Sequence, residues 1–336
     1  MLANPYPVPL PIHAAIDRHP LVVDPATPLI DVIVLMSQTR GFSCALGDRA
    51  EALAPVDFWH VESRSSCVLV VEANRVVGIL TERDVVRLTA SQMDLVSVSI
   101  AEVMVTPVVT LAEEKFQEIF AALFLFRRYR IRHLVIVDAD NDLVGLVSHE
   151  SIRQILRPTN LLKLRRVAEV MTPQAIYALP STPVTHLAHQ MAHHRVSCIV
   201  IAEVMGITPK QQETILPVGI VTERDVVQFQ ALGLNLAQTL AQTVMSGPLF
   251  LASPEDSLWE ANQAMQCHRV QRLVVSWNWG QSLGIITQSS LLRVFDPIEM
   301  YGVEDTLQQS SPAPSSTEAL RPADLSGATN PGAWRN

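Results

Sequence analysis

The sequence has few of the residues that crosslinked, metal-binding or nucleic-acid-binding proteins need. Only four of its 336 residues are cysteines, and no two of them form a Cys-x-x-Cys pair. This pattern matches neither a disulfide framework nor a zinc ribbon, and it favours a reducing, cytoplasmic setting. Basic residues are outnumbered by acidic ones, 25 to 33, which gives a formal net charge of -8. Because nucleic acid is bound by basic surfaces, we expect no nucleic-acid partner.

Long apolar runs are also missing. The most apolar run, residues 119–126, is closed by two arginines and is far shorter than the roughly 20 residues that span a bilayer. We therefore expect no membrane partner. The first residues, MLANPYPVPLPIH, lack a basic segment followed by an apolar run, so we expect no secretory signal. The hydrophobic content of 48% is nevertheless typical of a globular protein with a large core.

One pattern occurs four times along the chain. Each copy has a glycine, two aliphatic residues and a Thr or Ser, and the four glycines are Gly78, Gly145, Gly219 and Gly284. An aliphatic run and a short polar turn precede each glycine, which indicates a β-hairpin. A helical pattern follows, with the hydroxyl residue at the position of a helix N-cap. Each copy therefore predicts strand, turn, strand and helix.

Three copies also share an opening segment. Val-Met followed by a proline occurs at residues 103–107, 170–173 and 244–248, and an amphipathic helix is predicted after it. In the second copy this helix is expected over residues 113–129, because apolar side chains recur there at helical spacing. Its apolar face comprises Phe116, Ile119, Phe120, Leu123 and Phe126. In the first copy, residues 17–23 replace the opening segment, and the extra residues 41–65 are expected to form an irregular loop.

The copies alternate between two types. The first and third share Thr-Glu-Arg-Asp-Val-Val, at residues 81–86 and 222–227. The second and fourth have Ser151 and Ser290 in place of the aspartate, and basic residues where the hairpin begins. This order suggests that an ancestral pair was duplicated. We predict repeats at residues 12–92, 98–157, 165–233 and 239–296, with an N-terminal arm at 1–11 and a disordered tail at 308–336, where Ser, Pro, Ala and Thr are enriched.

The openers, hairpins and Gly-x-x-Thr-x-x-Asp closers together resemble the CBS domain family. The resemblance covers roughly residues 12 to 295. It implies an α+β fold of four β-α-β-β-α repeats, paired into two tandem Bateman modules with clefts between the paired repeats. It also implies a regulatory protein and not an enzyme. The repeats occupy nearly all of the chain that is expected to be ordered, which leaves no catalytic domain to expect.

The resemblance further implies a ligand. Family members often bind AMP, ADP, ATP or S-adenosylmethionine in these clefts as a regulatory ligand, with no cofactor or metal required. Carried over by residue, the aspartates Asp84 and Asp225 would accept hydrogen bonds from ribose hydroxyls, with Thr81 and Thr222 beside them. The backbone near Val109 and Ile176 would line adenine. Cations of the second and fourth repeats would face the phosphates: Arg132, His133 and Arg272.

The implied role is a sensor that signals to a protein partner, such as a kinase, a cyclase or another effector. A homodimer is also compatible with the family. The alternative is an interaction or dimerisation scaffold whose clefts stay empty. The aspartates have a second interpretation too, since Thr-x-x-Asp is also a helix capping box, which needs no ligand.

Other residues have competing interpretations. His186, His189 and His193 share a helical face that suggests a metal site, but the apolar stripe beside them predicts that they face solvent. Cys67 and Cys198 are expected in the core. Trp277 and Trp279 lie in a hairpin turn, where they would form either a contact surface or merely an exposed turn. A cluster of arginines would either bind phosphates or an acidic partner, or form a solvated helix end: Arg127, Arg128, Arg130 and Arg132.

Overall fold

The computed structural model describes residues 12–45, 66–156, 159–207, 213–268, 270–278 and 282–295. The predicted N-terminal arm, most of the insertion in the first repeat and the predicted tail lie outside these residues.

The first two repeats have closely similar elements. The first contains β1 (Val22–Val23), α1 (Leu29–Ala45), β2 (Cys67–Glu72), β3 (Arg75–Thr81) and α2 (Glu82–Ala90). The second contains β4 (Thr110–Ala112), α3 (Ile119–Tyr129), β5 (His133–Val137), β6 (Leu143–Ser148) and α4 (His149–Leu156). Short 3-10 turns at Ile12–Ala15, Ile100–Glu102 and Glu113–Lys115 precede or join these elements.

The third and fourth repeats follow the same order. The segment that joins the second and third repeats contains α5 (Thr159–Leu164). The third repeat contains α6 (Val167–Val170), β7 (Tyr177–Ala178), α7 (Val184–His194), β8 (Cys198–Ile207), β9 (Glu213–Thr222) and α8 (Glu223–Ala231). The fourth contains α9 (Ala241–Val244), β10 (Leu251–Ala252), α10 (Leu258–Cys267), β11 (Arg272–Trp277), β12 (Ser282–Thr287) and α11 (Gln288–Leu292), and it ends with a 3-10 turn at Arg293–Phe295.

Each repeat builds its own three-stranded sheet. The strand orders are β1-β2-β3, β4-β5-β6, β7-β8-β9 and β10-β11-β12. In every sheet the short first strand is parallel to the second, and the second pairs antiparallel with the third as a hairpin. The predicted fold class, α+β with four β-α-β-β-α repeats, is confirmed.

The sheets pack in pairs, and the pairs are consecutive repeats. Cys67 and Leu69 of β2 share a buried cluster with Val135 and Val137 of β5. In the other half of the chain, strands of the third and fourth repeats form the matching cluster, which contains Cys198, Val200, Val274, Leu283 and Ile285. Repeats 1 and 2 therefore form one module, and repeats 3 and 4 form a second.

The repeated glycines are explained by this pairing, because the opening segment of each repeat crosses onto the hairpin of its mate. Asp17 pairs with Leu146, Val105 with Ile79, Thr172 with Ile285 and Ser246 with Ile220. A Cβ at Gly145 would lie 2.4 Å from the backbone oxygen of Asp17, and one at Gly219 would lie 2.3 Å from Sδ of Met245. Glycine leaves the space that the crossing segment fills.

The two modules dock through helices, like repeat against like. Val86 of α2 belongs to the buried cluster of the third repeat, and Val227 of α8 belongs to that of the first. Gln230 donates a hydrogen bond from Nε2 to Thr89 Oγ1 across the same junction, at 3.0 Å. Helices of the second and fourth repeats share one further core, which contains Phe126, Ile152, Leu258, Met265 and Leu291. All four repeats therefore meet at one centre.

Two predicted helix boundaries need correction. The helix of the second repeat begins at Ile119, not at 113, because Phe116 leaves the helical conformation (φ −84°, ψ 63°) and is fully buried. Phe120, predicted on its apolar face, is 48% exposed. In the first repeat α1 continues to Ala45, so the first residues of the predicted loop are helical. Once a helix has formed, each added residue gains a hydrogen bond, and no proline interrupts this segment.

None of the helices in the described parts of the chain is both long enough and apolar enough to cross a membrane.

Candidate functional site

A polar pocket lies where the four repeats meet. It holds about 700 Å³ of empty space, including its opening to solvent. Every repeat contributes to its wall, and most of the lining side chains are basic, hydroxyl or amide residues. The lining residues are Ser66, Glu82, Arg132, His133, Ser148, His149, Glu150, Ser197, Arg224, Gln271, Arg272, Thr287, Gln288 and Ser289.

The pocket is built from two kinds of position in the repeat. One is the start of each hairpin, which supplies residues such as Ser66 and Arg272. The other is the first turn of the helix after each hairpin, so α2, α4, α8 and α11 all begin at the pocket wall. The backbone N–H groups at a helix start carry partial positive charge, which favours an anionic occupant. The topology therefore brings four equivalent segments to one place.

Ion pairs at the pocket wall cross from one module to the other. The carboxylate of Glu223, 1% exposed, accepts hydrogen bonds from Arg83 Nε at 3.0 Å and from Arg132 Nη2 at 2.7 Å. The reciprocal pair joins Arg224 Nε to Glu82 Oε1 at 2.9 Å. Both arginines and both glutamates of the Thr-Glu-Arg-Asp segments therefore take part in the junction between the modules.

Electrostatics keep this network charged. Burial of Glu223 alone would raise its pKa, but the positive charges of Arg132 and Arg83 and their hydrogen bonds outweigh that effect and lower the pKa overall. Burial likewise acts to lower the pKa of Arg132, and attraction to Glu223 more than compensates, so its pKa is raised. Glu223 and Arg132 therefore form a charged pair at neutral pH.

Two histidines of the second repeat are neutral in this setting. Burial lowers the pKa of His133 to about 3, and the charges of Arg132, His149 and Arg83 act in the same direction. Burial, Arg132 and Arg83 lower the pKa of His149 to about 3 as well. His133 Nε2 lies 2.7 Å from Ser66 Oγ. The His149 ring makes an edge contact with the ring of Phe126, and the two ring centroids are 4.4 Å apart. His133 lines the pocket as a hydrogen-bonding group and not as the cation that the resemblance implies.

The predicted phosphate-facing residues all line this pocket. Arg132 and His133 come from the second repeat and Arg272 from the fourth. Arg272 donates from Nε to Ser197 Oγ at 3.4 Å, which is a long contact. The structure brings the three residues together, and their contact with a phosphate stays a prediction.

The predicted ribose-binding aspartates lie in capping boxes outside the pocket lining. Oδ2 of Asp84 accepts from the backbone N and the Oγ1 of Thr81 at 3.0 and 2.6 Å, and Arg87 donates to Oδ1 at 3.3 Å. Oδ2 of Asp225 accepts from the same two atoms of Thr222 at 2.9 and 2.8 Å. Both side chains therefore have a structural role at a helix start.

The serines that replace these aspartates cap in the same way. Ser148 N donates to Ser151 Oγ at 3.0 Å, and Thr287 N donates to Ser290 Oγ at 3.3 Å. A serine therefore suffices for the cap. Capping alone therefore does not require a carboxylate at the positions of Asp84 and Asp225.

The predicted adenine-lining residues lie apart from the residues that line this pocket. Val109 packs, partly buried, against the core that the second and fourth repeats share. Ile176 packs against the core of the third repeat, and its carbonyl accepts a hydrogen bond from Val200 N at 3.0 Å. Their roles toward a ligand stay predictions.

The remaining candidate residues lie in the core or on the surface, outside the pocket lining. Cys67 and Cys198 are 1% and 3% exposed, and burial raises the pKa of both thiols, which suits core residues. His186, His189 and His193 are exposed beside the buried stripe of α7, and the described residues contain no cluster able to hold a metal ion. Trp277 ends β11 and packs against the core, while Trp279 lies outside the described residues. Arg128 and Arg130 are exposed at the end of α3.

Sequence reasoning missed several pocket residues. Glu82, Arg224, Ser66 and Ser197 were visible only as shared letters of the first and third repeats. The signal that would have found them is their position, since each stands at a hairpin start or in the first helical turn. These are the positions that the fold gathers at the centre.

Comparisons with known proteins agree with this architecture. The family model of the CBS domain matches residues 13–91, 100–158 and 167–231, which is more than half of the chain. The chain therefore belongs to the CBS domain family, and the two modules are consistent with Bateman modules. CBS-domain proteins are generally regulatory and not catalytic. The fourth repeat is recognised by its structure, since its sheet has the same order and register type as the other three.

Individual similar proteins cover different shares of the chain. An uncharacterized protein of Methanopyrus kandleri is 26% identical over 144 residues, which covers 43% of this chain and 68% of that protein. The crystal structure of protein MJ1225 from Methanocaldococcus jannaschii, proposed as an archaeal homolog of g-AMPK, superposes with a TM-score of 0.61 at 19% identity over 85% of this chain and all of that one. The CBS domain protein PAE2072 from Pyrobaculum aerophilum, solved with AMP, superposes with a TM-score of 0.32 at 20% identity over 42% of this chain and 98% of that one.

Proposed function

We propose that this protein is a regulatory sensor that binds an adenine nucleotide, such as AMP, ADP or ATP, or S-adenosylmethionine, and signals its presence to a protein partner. The observation that carries the proposal is the central pocket, because all four repeats line it and three of its lining residues are arginines. Guanidinium groups are well suited to phosphate, since they remain charged and donate paired hydrogen bonds.

The side chains of the wall suit a ligand that has both an anionic group and neutral polar groups. Arg132, Arg224 and Arg272 offer charged donors, and Ser66, Ser197 and Ser289 offer hydroxyl groups. The family supplies the rest of the argument, since adenine nucleotides are the ligands that CBS clefts often bind. We propose Asp84 and Asp225 as the two candidate carboxylates for ribose hydroxyls, one carboxylate for each bound nucleotide. A carboxylate has about four acceptor sites, so capping and ribose binding are compatible.

The position of the pocket supports a regulatory role. Arg132 and Arg224 line it and also pair with glutamates of the opposite module. A ligand that contacts these arginines therefore changes the interactions that join the modules. Such a ligand shifts an equilibrium only if it binds one module arrangement better than another. A partner protein that contacts both modules would then respond to the ligand.

Binding to the full chain tests the proposal. A nucleotide at 100 times its dissociation constant should stabilise the fold by about 2.7 kcal/mol, seen as a higher melting temperature. AMP, ADP, ATP and S-adenosylmethionine are each added, and the double variant Arg224→Gln, Arg272→Gln is compared with Arg128→Gln, which removes an exposed arginine outside the pocket lining. The double variant should lose the shift, and Arg128→Gln should keep it.

The competing function is an interaction scaffold with empty clefts. One observation favours it: the charges of Arg132 and Arg224 are already balanced within the chain by Glu223 and Glu82. A scaffold would show no melting shift with any of the four compounds, while its oligomeric state, measured by light scattering, would be independent of them.

A further inference from the structure

The two halves of the pocket are related by repeat but differ in charge. Arg272 and His133 hold equivalent positions, since Arg272 is paired with Thr287 across its hairpin as His133 is paired with Ser148. Each also contacts the equivalent serine, Ser197 in one case and Ser66 in the other. Burial and nearby arginines keep His133 neutral, whereas Arg272 is a guanidinium cation. The pocket therefore has one charged side and one neutral side at these matched positions.

The other arginines of the wall are already neutralised. Arg132 pairs with Glu223 at 2.7 Å, and Arg224 pairs with Glu82 at 2.9 Å. Behind the wall, Arg153 pairs with the lining residue Glu150 at 2.5 Å. A ligand phosphate that bound Arg132 or Arg224 would bring a second anion next to the buried carboxylate that the arginine already holds.

Arg272 is different. In the part of the chain that the structure describes, no carboxylate lies within ion-pair distance of its guanidinium, and its partner is the hydroxyl of Ser197. The first turn of α11 beside it contains no acidic residue, in contrast to the first turns of α2, α4 and α8. Gln288 and Ser289 line this part of the wall instead. Among the described residues of the wall, Arg272 is therefore the arginine that an incoming anion meets with no carboxylate already paired to it.

We infer that Arg272, with the neighbouring hydroxyl and amide groups, binds a single phosphate group, so that the pocket selects a nucleoside monophosphate over a triphosphate and takes one nucleotide per chain. This inference rests on the proposed function and adds its specificity. The added phosphates of a triphosphate would reach Arg132 and Arg224 only beside Glu223 and Glu82, the carboxylates that already pair with these arginines. Like charges brought together at a binding site disfavour the wrong ligand, and the ion pairs would have to be broken to relieve them.

Isothermal titration calorimetry of the full chain tests the inference, with AMP, ADP and ATP titrated in buffer without divalent cations. We expect one AMP per chain and an affinity for ATP at least about tenfold weaker, because of the like charges. Loss of a hydrogen bond to a charged group predicts that Arg272→Gln weakens AMP binding about tenfold to a hundredfold. Arg272→Lys, which keeps the charge, should retain part of the affinity, and Arg128→Gln should bind as the unmodified protein does. Thermal melts show that each variant is folded.

The outcomes separate the two proposals. ATP binding as tightly as AMP, two AMP molecules per chain, or an Arg272→Gln variant with unchanged affinity would overturn the single-phosphate inference and leave the proposed function standing. Absence of binding by all three nucleotides and by S-adenosylmethionine would instead overturn the proposed function itself.

Discussion

Arg132 and Glu223 join the two modules through a 2.7 Å hydrogen-bonded ion pair, although 91 residues separate them in sequence. Glu223 also accepts from Arg83, so one carboxylate that is 1% exposed holds two arginines of the first module. Glu223 therefore links the two modules through two ion pairs at once.

Substitution of Glu223 should destabilise the protein measurably. Removing one partner of a buried pair costs about 3 to 5 kcal/mol, and we expect Glu223→Gln to cost about 2 to 3 kcal/mol because Arg83 and Arg132 are 38% and 26% exposed and stay partly solvated. Urea denaturation measures the change. The matched control is Glu113→Gln, which breaks the more exposed pair with Arg18 and should cost less than about 1 kcal/mol. Equal costs for the two variants would show that the Glu223 network adds no special stability.

Acid should destabilise the fold through the second repeat. The pKa of His133 and of His149 is lowered to about 3, below an unfolded value of about 6.5, so the unfolded state binds more protons between these pH values. The free energy of unfolding is therefore not reduced by these histidines above about pH 6.5, and it decreases as the pH falls from there toward 3. Between pH 7 and pH 5 the loss is about 2 kcal/mol per histidine.

The substitution His149→Gln tests this, since the fourth repeat has Gln288 at the equivalent position. Urea denaturation at pH 7 and pH 5 should show about half of the acid loss for this variant. Replacing the exposed His193 by Gln should leave the loss unchanged. An identical pH dependence in the His149 variant and the unmodified protein would rule out this histidine as a source.

The hairpin glycines should differ in their tolerance of alanine. A Cβ at Gly145 would meet the backbone oxygen of Asp17 at 2.4 Å, whereas one at Gly219 would meet the side chain of Met245. A methionine side chain can move and a crossing backbone cannot, so Gly145→Ala should cost more than Gly219→Ala, with overpacking of about 1 to 3 kcal/mol or more. Gly247→Ala, whose Cβ has no neighbour closer than 3.6 Å, is the control. Thermal unfolding orders the three, and equal destabilisation would contradict the crossing of opener and hairpin.

The aspartates can be tested without losing their caps. Ser151 and Ser290 show that a serine completes the same box, so Asp84→Ser and Asp225→Ser keep the cap and remove the carboxylate. We expect each substitution to cost about 1 to 2 kcal/mol at most, since a charge near a helix start is typically worth about 0.3 to 1 kcal/mol and up to about 2 kcal/mol when it is partly buried. Nucleotide affinity, measured by calorimetry on the double variant, should fall about tenfold to a hundredfold. If the affinity is retained, both residues serve only as caps.

The sequence predicts the repeats well because their signals are local. The glycine and hydroxyl letters recur at each hairpin and helix start, and apolar periodicity identifies the strands and most helices. The predicted start of α3 was wrong because Phe116 continues the helical spacing of apolar residues but lies, buried, in the segment that precedes the helix. Local spacing gives no information on which residue a chain turn will bury.

The pocket could be predicted only in part. Arg132, His133 and Arg272 were identified because the resemblance to the CBS domain family implies cations at the start of these hairpins. Glu82 and Arg224 were not, because they pair with each other across 142 positions of the sequence, and this contact follows from the docking of the modules. The neutral state of His133 likewise depends on burial and on arginines that only the tertiary structure brings near.

The most direct test is a crystal structure of the full chain with AMP at saturating concentration. We expect one nucleotide per chain, with its phosphate within hydrogen-bond distance of the Arg272 guanidinium and the hydroxyls of the central pocket. Electron density for AMP elsewhere on the protein, or a pocket that holds no nucleotide at saturation, would contradict it.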